Sequence, residues 1–71
     1  MDLITITAID KYSSDMLSRT FSTKSVDSFK ESIQEFEKEL SFVKYELTCD
    51  ELIKEYSDDV INVLDELEVT Y

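Results

Sequence analysis

Not one of the 71 residues is glycine or proline. Turns therefore fall to Ser, Asp, Asn and Thr, whose short side chains bond to nearby backbone. The same absence excludes several chemistries. The chain has no glycine-rich phosphate loop, no nucleophile elbow and no dinucleotide fingerprint. Histidine is absent too. That removes the usual general base at neutral pH and the commonest metal ligand.

A chain this short is expected to make one domain, residues 1–71. It buries only about 60% of its unfolded surface. Its 42% apolar content, with four Phe and four Tyr, argues for a folded domain over a disordered acidic tail. No apolar run reaches the roughly 18 residues of a membrane span. Met1-Asp2-Leu3 is unlike the basic start of a signal peptide. Cys49, the single cysteine, has no partner for an internal disulfide. A cytoplasmic location is expected.

The net charge of −10 is unevenly placed. Residues 46–71 hold nine acids and one base, Lys54, and so about −8 of that total. Read at 100° per residue, residues 48–67 predict a helix. Leu52, Ile53, Tyr56, Val60, Val63, Leu64 and Leu67 share one arc, with Cys49 beside them. Glu51, Glu55, Asp58, Asp59, Asn62, Asp65 and Glu66 share the opposite arc. Thr48-Cys49-Asp50-Glu51 has the form of a capping box. Acids at Asp65, Glu66 and Glu68 sit at the wrong end for the helix dipole. An ordinary exposed face would also mix signs, since like charges at i,i+4 destabilise a helix.

The rest of the chain predicts four elements. Residues 3–9 alternate and are rich in β-branched residues, with Ile4, Ile6 and Ala8 on one face. A turn through residues 11–15 leads to a second strand, 16–23, with Leu17, Arg19, Phe21 and Thr23 on one face. Residues 25–40 predict a helix on the 3,4 rhythm of Val26, Phe29, Ile33, Phe36 and Leu40. Ser25 or Asp27 can cap it, and Ser28 with Glu31 offers a second box. Residues 41–47 read as a third strand, with Val43, Tyr45 and Leu47 facing one way. The order is strand, strand, helix, strand, helix. A right-handed crossover lays the third strand beside the first, in spatial order 2-1-3 and antiparallel throughout. The fold class is α+β: a small three-stranded antiparallel sheet covered by two amphipathic helices. The alternative is a β-hairpin followed by a long two-helix hairpin.

Catalytic candidates are few. Cys49 on the apolar face reads as a core cysteine. Glu51, Glu55, Asp58 and Asp59 could gather a hard cation, but the calcium-loop pattern is missing, so no metal or cofactor is expected. Enzyme activity is not expected either.

The acidic arc suggests binding. Six carboxylates, Glu51, Glu55, Asp58, Asp59, Asp65 and Glu66, would lie along about 22 Å of helix. That is one charge per roughly 4 Å, close to the phosphate spacing of about 3.4 Å along a DNA strand. Basic partners are favoured, and direct nucleic acid or anionic lipid is disfavoured by repulsion. In size, charge and lack of catalytic residues the chain resembles small acidic anti-defence proteins of phages, the anti-restriction DNA mimics and some anti-CRISPR proteins. The resemblance implies a stoichiometric inhibitor acting in a host cytoplasm. There those six residues would meet Lys and Arg of a nuclease or a CRISPR or restriction effector.

A regulatory or antitoxin-like module would instead make contact through Phe42, Tyr45 or a sheet edge. Homodimerisation is a third possibility.

Overall fold

The computed structural model describes residues 2–71. Three strands form an antiparallel sheet in the order β2-β1-β3. They are β1 (Leu3–Asp10), β2 (Met16–Ser22) and β3 (Tyr45–Thr48). Two helices, α1 (Val26–Glu39) and α2 (Asp58–Glu66), complete the α+β fold in the chain order predicted. A single 3₁₀ turn, Ile53–Glu55, precedes α2. No helix among the described residues is long and apolar enough to cross a membrane.

The alternation in β1 decides which face is covered. Ile4, Ile6 and Ala8 are fully buried. Phe21 of β2 and Leu47 of β3 join them, as do Phe29, Ile33 and Phe36 of α1 and Val60, Val63 and Leu64 of α2. Phe21 meets Phe29 and Phe36 edge-on, with ring centroids 6.3 and 5.7 Å apart, a favoured aromatic geometry. The opposite face stays open. There Thr5 and Thr20 share a 3.0 Å hydroxyl–hydroxyl hydrogen bond, and Thr7 and Ser18 one of 2.7 Å.

The turns show how a chain without glycine closes on itself. After β1, the Asp10 side chain accepts hydrogen bonds from the N–H groups of Tyr12 (2.8 Å) and Ser13 (3.4 Å). Ser14 then takes the left-handed conformation at φ 65°. At the end of α2, Glu68 does the same at φ 60°. The Glu68 N–H donates to Asp65 O (3.1 Å) and the Val69 N–H to Leu64 O (2.8 Å). That is the Schellman closure, with a glutamate where glycine is usual. It returns the chain to the sheet. The Cys49 N–H donates to Thr70 O and the Thr70 N–H to Leu47 O, both at 2.8 Å, so Thr70 runs parallel beside Thr48.

Two expectations need correction. The third strand is Tyr45–Thr48 rather than 41–47, and Val43 lies outside it, 86% exposed. Phe42 is half-buried against the core ahead of the strand. The second correction is larger. The helix predicted over 48–67 covers only Asp58–Glu66. Thr48 is committed to β3, so the capping box at Thr48 and Glu51 does not form. Ser57 is the N-cap, accepting from Val60 N at 3.3 Å.

Candidate functional site

The six carboxylates predicted to share one helical row are divided by the true start of α2. Asp58, Asp59, Asp65 and Glu66 are on it. Glu55 ends the 3₁₀ turn, and Glu51 precedes that turn. Nine residues of helix span about 13 Å, so the row of about 22 Å does not exist. A capped start at Ser57, followed by two acids in the first turn, is a signal the sequence carried.

Glu51 points inward. β3 pairs with β1 only from Thr7 to Asp10, so β1 has bare backbone on that side at its other end. Glu51 Oε1 accepts from the Thr5 N–H at 3.1 Å. The Tyr56 hydroxyl lies between Leu3 O, at 2.7 Å, and Glu51 Oε2, and its single proton serves these two acceptors. Burial, and then the hydrogen bond and charge of Glu51, hold the Tyr56 hydroxyl far above its ordinary value.

At the C-terminal end of α2, Asp65 accepts from the Tyr71 hydroxyl (2.7 Å), which raises the Tyr71 pKa. Glu66 is bonded to Lys30 of α1 (2.7 Å). Asp58 and Asp59 lie in the first turn, where the helix dipole favours them. Glu55, Asp58 and Asp59 are exposed, and none of the ion pairs among the described residues involves them. Eight of the nine acids in residues 46–71 are exposed, Glu51 being the exception. The acidic surface is therefore real but centred on residues 55–59, and it curves around a short helix.

Other reactive groups are accounted for. Cys49 is buried, as expected, and burial raises its thiol pKa. Burial raises Glu37, and the nearby Tyr45 hydroxyl is raised by burial and by the Glu37 charge. No group of three or more His, Cys, Asp or Glu among the described residues could hold a metal ion. Strand alternation puts Arg19 on the Phe21 face, and its guanidinium lies there 4.9 Å from the Phe36 ring centroid and pairs with Glu39.

No protein-family model, curated protein or solved structure matches the chain.

Proposed function

We propose that the chain is a non-enzymatic binding protein whose acidic final third docks on a basic, nucleic-acid-binding partner and inhibits it by occupying the place of phosphates. The observation that carries this is the cluster Glu55, Asp58 and Asp59. These are three exposed carboxylates within five residues, with no cation bonded to them among the described residues. The lack of histidine and the burial of Cys49 support a non-catalytic role. The geometry fits a short run of phosphates. At about 3.4 Å per phosphate, a helix of about 13 Å spans four. A nuclease or a CRISPR or restriction effector is the kind of partner that goes with this reading.

The test is capture of partners from a lysate of the native host by the chain and by its E55K/D58K/D59K variant, with circular dichroism on both. Loss of a captured nucleic-acid-binding protein by a folded variant supports the reading. Undiminished capture by that variant refutes it.

One observation favours a second reading, a regulatory or antitoxin-like module with an apolar contact. Lys11 N donates to Lys44 O at 3.0 Å, which brings the loop of Tyr12 beside that of Val43. Both are large, apolar and exposed, at 73% and 86%. Binding through this tip would hold as ionic strength rises, whereas binding through the carboxylates would weaken.

A further inference from the structure

Among the described residues, no strand pairs with the outer edge of β2. On the other side of the sheet, β3 is flanked by Thr70. The bonds from Thr23 N to Asp2 O and from Asp10 N to Asp15 O, taken with the strand register, show that the odd-numbered residues of β2 bond to β1. The N–H and C=O groups of Ser18 and Thr20 therefore point away from the sheet. Natural edges are usually guarded by proline, bulges or charged side chains, inward-pointing ones included. β2 has no proline and a single charge, Arg19, turned inward onto Phe36 and Glu39, so its protection is slight.

Beside this edge stands α1. Ser28, Glu31, Ser32 and Glu35 recur at i, i+3, i+4 and i+7 and so form one stripe. Together with residues 19–22 of β2 they line a cleft of about 550 Å³. Strand addition at such an edge takes affinity from main-chain bonds and specificity from alternate side chains. A strand added here would turn every second side chain toward the glutamates.

We propose that this cleft binds an extended segment of a basic protein as a fourth strand, antiparallel to β2, with a lysine or arginine opposite Phe21 between Glu31 and Glu35. The site is separate from the acidic surface around α2 and does not depend on it. Charge also decides against a second copy of this chain. A two-fold pairing of β2 with itself sets the Glu31 and Glu35 stripe of one α1 against its twin, where like charges repel.

The probe is a blocked seven-residue peptide alternating lysine and valine, titrated into the ¹⁵N-labelled chain and followed by NMR. Saturable shifts at the Ser18 and Thr20 amides are expected. Two further peptides carry N-methyl groups on alternate residues, one set on odd and one on even positions. Only the set whose amides face β2 should lose binding, and E31K/E35K should weaken the parent peptide at least about fivefold. Equal affinity of both N-methylated peptides overturns the proposal. So does equal binding by a glutamate–valine peptide, or shifts confined to Glu55, Asp58 and Asp59. A chain that sediments as a dimer through β2, and that the peptide does not dissociate, assigns the edge to a second copy instead.

Discussion

Glu51 accepts a 3.1 Å hydrogen bond from the backbone N–H of Thr5, 46 residues away in the chain. A carboxylate here takes the place of a strand. β3 is half the length of β1, and backbone left over at its end needs partners. Glu51 and Tyr56 supply them, so the segment between β3 and α2 is held to the sheet by side chains and cannot coil.

Removing that carboxylate should therefore cost stability well beyond that of an exposed glutamate. Glu51→Ala leaves the partly buried Thr5 N–H without its acceptor and the Tyr56 hydroxyl with Leu3 O alone, at about 1–3 kcal/mol. Tyr56→Phe keeps the ring and should cost about 1 kcal/mol. In urea unfolding the double variant should cost less than the two singles together, because they share one bond. The raised Tyr56 pKa gives a second readout. Its contribution is present below the ordinary value of 10.0 and lost as pH rises toward the higher folded value, so Tyr56→Phe should flatten the alkaline loss.

Where α2 begins can be tested by its cap. Ser57→Ala removes the side chain that accepts from Val60 N and should cost about 1 kcal/mol. Thr48→Val keeps a β-branched residue in β3 and should stay within about 0.5 kcal/mol. A helix starting at residue 48 would reverse that ranking in thermal melts.

The contrast between α1 and α2 shows what the sequence made legible. In β1 and α1 the period, the cap and the burial all agree, so Ile4, Ile6, Phe29, Ile33 and Phe36 could be placed in the core from spacing alone. Leu52, Ile53 and Tyr56 also fit a helical arc, yet Leu52 is 63% exposed, and Tyr56 is buried because its hydroxyl reaches β1. Thr48 had the form of a cap, but the helix is capped by Ser57. Local pattern could not arbitrate, because the deciding demand was unpaired backbone at Leu3 and Thr5, far away in sequence. The acidic row failed for the same reason. Glu51 resembled a surface carboxylate until β3 proved too short to cover β1.

Acid should stabilise before it destabilises. Burial raises the Glu37 pKa above 4.5. The stability it contributes is full below that value and is lost as pH rises through the folded pKa. Going down from neutrality, the melting temperature should rise, helped by reduced self-repulsion. Asp10 has the opposite sign. The Tyr12 N–H lowers its pKa from 3.8, so its contribution holds above that value and is lost as pH falls through the folded pKa. Glu37→Gln should weaken the first limb and Asp10→Asn the second, each measurable by melts across the acid range. A melting temperature that falls monotonically from neutrality would sink this account.

The left-handed residue at Glu68 is the clearest place where the lack of glycine costs the fold. A side chain at φ 60° clashes with its own backbone, at about 1–2 kcal/mol. The Schellman closure around it holds Val69 in the core and sends Thr70 alongside β3, so the conformation is retained despite that cost. Glu68 also places a negative charge at the negative end of α2. Glu68→Gly relieves both effects. It gives back about 0.4–1 kcal/mol through a more flexible unfolded chain. The net expectation is a gain of about 1 kcal/mol, or about 4–8 °C in a domain this small. Glu68→Ala is the control. It removes the charge but keeps the Cβ, and should recover only the dipole part, about 0.3–1 kcal/mol. Equal melting temperatures for the two variants would place the cost in the charge and acquit the backbone.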